Sequence, residues 1–307
     1  MRSFRFLPIL AAALALTGCD FDDLHDSERF SSDFHYNHPL PEGGRVMVET
    51  FNGSIEVSAW DQRSVDISGT KYGPSQQAAD DLPVSIDRSE GTISIRVVRP
   101  VERRNHQGAR FVIKVPRTAV LERLVSSNGS IRTSEGVGPA RLKTSNGTIS
   151  VQGLRGSLSA TTSNATVELF DIDGDVEAHT SNGRVRAERL RGTLDATSSN
   201  GSITADIVRT DRPVRAETSN SHIDLVLPAD YNRDVRASTS NGGITVRLPE
   251  RLNARVVART SNARITSDFE LQMRGEIGKN HVDGVIGNGG ALIDLATSNG
   301  SIRLAKR

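Results

Sequence analysis

Cysteine occurs once in the 307 residues, at Cys19, so the chain closes no disulfide within itself. Aromatic residues make up 4% of the sequence, too few for extended stacking platforms for sugars or bases. Neither sign of charge prevails. The 38 lysines and arginines stand against 37 aspartates and glutamates, which leaves no strong field for nucleic acid. Hydrophobic residues are 36%, below the share of an ordinary globular domain. A thin core of Ile, Val, Ala and Thr suits that deficit better than a thick one. The apolar run from Phe6 to Leu16 is too short to cross a bilayer comfortably.

That run follows Arg2 and Arg5 and ends in Leu16-Thr17-Gly18-Cys19, which reads as an export signal. Its end resembles the lipobox of bacterial lipoproteins, where cleavage falls before a cysteine whose thiol is then lipidated. The resemblance implies that residues 1–18 are a signal peptide and that Cys19 is the lipidation site. Several acyl chains on one residue anchor stably, because each buried methylene contributes about 0.8 kcal/mol. Residues 20–28, DFDDLHDSE, read as an acidic tether. Asp20 resembles the inner-membrane retention signal of enterobacterial lipoproteins. The expected location is the non-cytoplasmic side of a bacterial membrane, inner or outer, with the N-terminal lipid as the membrane contact.

One short motif fills most of the remainder. TSNGTIS, Thr144 to Ser150, has close copies beginning at Ser126, Thr162, Thr180, Ser198, Thr218, Thr239, Thr260 and Thr297. Its asparagines are Asn128, Asn146, Asn164, Asn182, Asn200, Asn220, Asn241, Asn262 and Asn299. They are spaced by 18, 18, 18, 18, 20, 21, 21 and 37 residues. The first four steps are equal, which marks a repeat architecture, and the last gap reads as two turns, one with a degenerate motif.

Aligned on the asparagine, the repeats form columns. Leu158, Val176, Leu194, Val214, Val235 and Val256 make one, and Ala160, Ala178, Ala196, Ala216, Ala237 and Ala258 stand two residues later. Thr or Ser follows after two more. Beyond the asparagine, Ile149, Val167, Val185, Ile203, Ile223, Ile244 and Ile265 resume the alternation. A third apolar column, Leu154, Ile172 and Leu190, precedes Gly156, Gly174 and Gly192. A period of two is that of a strand with one face in and one out. One repeat cannot bury its apolar face alone, but stacked copies can. The expected fold is therefore all-β, a single-stranded β-helix (β-solenoid) of 18–21-residue coils over residues 126–307, closed by a C-terminal cap. Residues 29–125 read as an irregular N-terminal β region covering the first coil, with strands near 45–50, 54–60, 64–71, 84–88, 92–99 and 110–115. A short helix fits between Gly73 and Leu82. The motif itself reads as a corner. Asn and Gly tolerate the positive φ a sharp corner requires, and parity with Leu142 predicts inward asparagines that ladder from coil to coil.

Charges suggest a second ladder. Arg155, Asp173 and Arg191 recur every 18 residues, as do Asp171 and Arg189, and Glu168 and Arg186, which places opposite signs on adjacent coils. Such pairs contribute about 0–1 kcal/mol each but favour one register.

From Arg29 onward the chain resembles the bacterial "putative adhesin" domain family, generally of unknown function. The segments carrying the resemblance are GSIEVSAWDQRSVDISGTKYG (Gly53 to Gly73), GTISIRVV from Gly91, FVIKVP (Phe111 to Pro116) and IGNGGALIDLATSNGSIRL, which ends at Leu304. Their order along the chain is more specific than any one of them. The resemblance implies a β-helix-like fold, often exported and right-handed, and brings no catalytic residues.

Candidate chemistry is thin. DIDGD, Asp171 to Asp175, resembles the start of a calcium loop, but its twelfth position is Asn182 where such a loop needs Glu. His35 and His38 lack a third ligand partner in sequence, so they read as surface histidines. A polysaccharide lyase or hydrolase would need clustered carboxylates, and Asp171 and Asp173 beside Arg189 and Arg191 form the one cluster available. The outward serines, from Ser145 to Ser240, could form a polar binding face, but Lys143, Thr161, His179 and Thr197 beside them spoil its regularity. No metal or cofactor site is expected. The leading expectation is a non-enzymatic envelope scaffold for adhesion or interaction with a protein or glycan, and not with nucleic acid. The alternatives are an envelope-stress or signalling accessory docked on a membrane partner, and a polysaccharide-active β-helix enzyme.

Overall fold

The computed structural model describes residues 30–100, 106–134, 136–273 and 279–307. Cys19, the signal segment and the acidic tether lie outside these residues. Strand β1 is Phe30–Pro39, β2 Arg45–Thr50, β3 Ile55–Trp60 and β4 Ser64–Gly73. Helix α1, Gln76–Asp80, follows. Ser75 starts it by accepting the Ala78 amide at 3.1 Å, and Ala78 and Ala79 are buried. Next come β5 Val84–Ser89, β6 Thr92–Val97 and β7 Gly108–Pro116.

The regular coils are strand pairs. They are β8 Val120–Ser126 with β9 Ile131–Ser134, β10 Ala140–Lys143 with β11 Ile149–Gln152, and β12 Leu158–Thr161 with β13 Val167–Phe170. Then follow β14 Val176–His179 with β15 Val185–Arg191, and β16 Leu194–Thr197 with β17 Ile203–Arg209. The series continues through β18 Val214–Glu217 with β19 Ile223–Val226 and β20 Val235–Ser238 with β21 Ile244–Leu248. The last elements are β22 Ala254–Arg259, β23 Ile265–Ser267, β24 Gln272–Met273, β25 His281–Ile286, β26 Ala291–Ala296 and β27 Ile302–Lys306.

All odd members of the coil series join one 13-stranded sheet and all even members one 14-stranded sheet. Pairing along the coils is parallel and in register: Leu158 lies beside Val176, Ala160 beside Ala178, Val167 beside Val185 and Leu169 beside Ala187. The apolar columns are therefore the core, and Leu158, Ala160, Val167, Val185 and Ile203 are all buried. Leu154, Ile172 and Leu190 are buried on the short third side, where Arg155, Asp173 and Arg191 bridge through their backbones. The fold is a β-solenoid whose core is one side chain deep from each wall.

Both ends depart from simple sequence order. Between β21 and β23 lies β27, and between β20 and β22 lies β26. The C-terminal coil, residues 291–306, is thus inserted beneath the coil of residues 254–267 that precedes it in sequence. Among its described residues, the 37-residue gap before Asn299 holds no degenerate turn. It holds β24 and β25, which pair antiparallel with each other, while β25 also covers the outer edge of β22. At the other end, β2 and β3 form a genuine coil against β8 and β9. Beyond them stand β6 and β5 in one sheet and β7, β4 and β1 in the other.

Candidate interaction surface

The motif proves to be a hydroxyl-tied corner. Ser126, Thr144, Thr162, Thr180, Ser198, Thr218, Thr239, Thr260 and Thr297 are all buried. Each hydroxyl donates to a carbonyl of the neighbouring coil, as Thr144 Oγ1 does to Gly129 O at 3.0 Å and Thr180 Oγ1 to Ala165 O at 3.1 Å. At the glycine corners the same oxygen also accepts an amide of its own corner, as from Gly147 N at 3.2 Å and Gly183 N at 3.1 Å. A buried hydroxyl thereby satisfies itself and two backbone groups. Both amides of the Ser-Asn step also reach across: Ser181 N and Asn182 N donate to Ser163 O at 3.2 and 2.9 Å.

The asparagines form a ladder, but on the outside. Asn146 Nδ2 donates to Asn128 Oδ1 at 2.7 Å, Asn164 to Asn146 at 2.6 Å, Asn182 to Asn164 at 2.7 Å and Asn200 to Asn182 at 2.7 Å. Asn220 and Asn241 continue it. Asn299 then bonds to Asn241, and Asn262 to Asn299, in the interleaved order. Asn128, Asn146, Asn164, Asn182, Asn200, Asn220, Asn241, Asn262 and Asn299 are all exposed, which corrects the inward placement. Strand alternation stops at the corner, so parity counted from Leu142 carries as far as Thr144 and not to Asn146. A tenth rung, Asn52, accepts from Asn128 Nδ2 at 2.5 Å and donates to Gln107 O at 3.0 Å. FNGS at Phe51 to Ser54 was the available signal for it.

Positive φ belongs to other corners. None of the motif asparagines adopts it. Gly153, Asp171 and Arg189 do, at 70°, 53° and 54°, stacked where the second strand leaves for the third side. The corner glycines serve close approach instead: a Cβ on Gly183 would stand 1.7 Å from Ala165 O. Ala165, Ser221 and Ala263 occupy the same column, so those three coils accept a side chain. Their amides make no bond to the preceding Thr hydroxyl, unlike the glycine corners at Gly147, Gly183, Gly201, Gly242 and Gly300.

The charge ladder is partly re-paired. Asp171 is held by both Arg189 Nε, at 2.6 Å, and Arg189 Nη2, and this guanidinium keeps its carboxyl below the usual range. Arg155, Asp173 and Arg191 neighbour one another through backbone bridges, but Asp173 makes its ion pair with Arg209, at 3.8 Å. Glu168 lies beside Arg186 in register, yet Arg186 Nε turns to Glu188 on its own strand at 2.7 Å. Asp175 pairs with Arg212. The three carboxylates of DIDGD thus each face a guanidinium and converge on no common point. Among the described residues no group of three His, Cys, Asp or Glu has metal-binding geometry.

What remains for recognition is the lateral surface. Along one position of the 14-stranded sheet the outward residues run Arg141, Ser159, Glu177, Asp195, Arg215 and Arg236, while the core position beside them stays alanine or leucine. A shallow groove of about 570 Å³ crosses these coils, lined by Glu122, Arg141, Asp175, Glu177 and Asp195.

The model of a known family, described as Toastrack DUF4097, matches residues 46–305. The chain belongs to the Toastrack DUF4097 family. That is not a known enzyme family. Two crystal structures are similar to this Toastrack chain. A putative adhesin from Bacteroides fragilis is 13% identical, with 90% of this chain and 97% of that one covered at a TM-score of 0.42. A putative cell adhesion protein from Clostridium sporogenes is 10% identical, with 90% and 100% covered at a TM-score of 0.22. No curated protein matches the Toastrack chain.

Proposed function

We propose that this Toastrack protein is a non-catalytic, lipid-anchored scaffold of the bacterial envelope that binds a macromolecule along its lateral faces. The carrying observation is the contrast between constant inner columns and changing outer ones. From Arg141 to Arg236 the outward residue changes charge or size at nearly every coil, whereas Ala160, Ala178, Ala196, Ala216 and Ala237 repeat inside. An extended ligand spanning several coils reads such a surface as repeat proteins do. Asp171, the best candidate acid of an enzymatic reading, is fixed by Arg189 and held ionised, which disfavours proton donation. The lipid anchor rests on the Leu16 to Cys19 resemblance.

Adhesion and docking on a membrane partner are the two forms such binding takes. Pull-down from envelope extract with the wild-type chain and with Glu177→Lys/Asp195→Lys tests the face. Loss of the specific partner in the variant supports the reading, and an unchanged partner set refutes this groove as the contact. Protease access on intact cells supports adhesion, whereas residence in the inner membrane supports docking.

A further inference from the structure

The N-terminal end of the rod is unfinished. Beyond the coil of β2 and β3, one sheet adds β6 and β5, while the other adds β7, β4 and β1. The second sheet therefore overhangs by one strand. That strand, β1, is ten residues long and has no buried residue. Its remaining edge pairs with no strand among the described residues. Sheet edges elsewhere are shorter: six residues in β5, three in β23 and two in β24. Long edges with few charges invite strand pairing; β1 carries Asp33 as its one carboxylate, and lysine or an internal proline is the stronger guard. Between Phe30 and His38 there is neither.

The face of β1 that continues the core carries Phe30, Ser32, Phe34, Tyr36 and His38. This parity follows from Tyr36 lying beside Ile67 and His38 beside Val65, both fully buried. Phe34 meets Phe111 edge-on at 5.7 Å between centroids, and Tyr36 stacks with His38 at 6.2 Å. Yet Phe30 is 38% exposed and Tyr36 43%. Core-facing aromatics are thus left without a lid, in a chain that has few aromatics to spare. The opposite face presents Asp33 and His35.

We propose that β1 is the seam of an end-to-end homodimer, in which two copies pair antiparallel about residue 34. A two-fold axis normal to the sheet keeps core faces on one side only if opposed residues share parity. Three registers centre on the strand. A centre at Asp33 opposes two aspartates. A centre at His35 opposes two histidines and draws Pro39 into the ladder. A centre at Phe34 opposes Asp33 to His35 of the second copy twice, sets Phe34 against itself, and pairs Ser32 with Tyr36 and Phe30 with His38. That register sets a carboxylate against an imidazole outside, where His35 Nε2 also lies 2.6 Å from Asp66 Oδ1 of its own chain, joins aromatics inside, and uses all of residues 30–38. The missing strands opposite β1 then leave a space that the aromatics of both copies fill.

Single-cysteine chains in a Cys19→Ser background, full length and in detergent, read the register directly. Directly opposed residues lie within the Cα range of a disulfide. Phe34→Cys is expected to cross-link to itself, while Asp33→Cys and His35→Cys are not. Because Phe34 also touches Phe111, a mixture of Ser32→Cys and Tyr36→Cys chains provides a variant that spares it, and should link only heterologously. In sedimentation the wild-type chain should run as a dimer, and Asp33→Lys should weaken the dimer roughly tenfold by replacing the carboxylate of both cross-strand pairs with a cation. A wild-type chain that stays monomeric throughout, or cross-linking at Asp33 or His35 in place of Phe34, overturns the proposal.

Discussion

The middle of the rod and its C-terminal end are built from the same columns but stacked by different rules. In the middle, each coil lies on the one before it in sequence, and Asn146, Asn164, Asn182 and Asn200 stack in chain order. At the end, residues 291–306 slip beneath residues 254–267, and the ladder runs Asn241, Asn299, Asn262. The repeat specifies how one coil meets another but not which coil it meets. Thr297-Ser-Asn-Gly and Thr260-Ser-Asn-Ala offer the same hydroxyl and the same rung. Order at the end is set by what closes the stack: β25 pairs antiparallel on β22, so residues 254–267 form the coil that carries the lid.

The comparison can be broken most severely by truncation. In a simple solenoid the last coil is the cheapest to remove. Here, ending the chain at Gly290 takes a coil out of the interior and strands the cap. Ile293, Leu295, Ile302 and Leu304 are fully or almost fully buried, and their loss should cost on the order of 6–12 kcal/mol. Thermal unfolding followed by circular dichroism should show loss of a single cooperative transition. A melting temperature near that of the whole chain would mean that the C-terminal coil is peripheral.

A smaller effect separates the inside of the corner from its outside. Thr180→Val should destabilise by about 1–3 kcal/mol, since it strips partners from Ala165 O and Gly183 N. Asn182→Ala, on the exposed ladder, should cost less than 1 kcal/mol, and Ser181→Ala less again. Denaturant midpoints measure all three, and an Asn182 effect equal to that of Thr180 would return the asparagine to the load of the corner.

The sign reverses at Thr133. This residue lies between Val57 and Val151 in a core column, is buried, and its hydroxyl has no partner among the described residues. Thr133→Val should stabilise by about 1 kcal/mol. An unchanged or lower midpoint would show that the hydroxyl is satisfied in solution.

These contrasts follow how the molecule was legible. The strands at Arg45, Ile55, Thr92 and Gly108 could be read because each alternates over a buried face. Strand β1 could not, because FSSDFHYNHP buries nothing and its aromatics point past the end of the opposite sheet. The corner was recognised as a corner from Asn and Gly, but the buried threonine ties it, and threonine in a column of Ile, Val and Ala looks like one more β-former. Left-handed backbone at Asp171 and Arg189 gave no signal, since neither residue type announces it. Stacking order is invisible to periodicity altogether, because the spacing of 21 residues between Asn241 and Asn262 matches the step before it.

Two double-cysteine variants decide that order. Ser240, Ser298 and Ser261 are exposed at the same corner, with Ser298 N bonded to Ser240 O at 3.2 Å and Ser261 N to Ser298 O at 3.1 Å. Neighbouring coils place such residues about 4.8 Å apart and alternate coils about twice that. A disulfide reaches the first distance and not the second. Ser240→Cys/Ser298→Cys should therefore oxidise to an intramolecular disulfide, while Ser240→Cys/Ser261→Cys stays reduced. The opposite result, with residues 240 and 261 locked together, would put the coils back in sequence order and contradict the interleaved end.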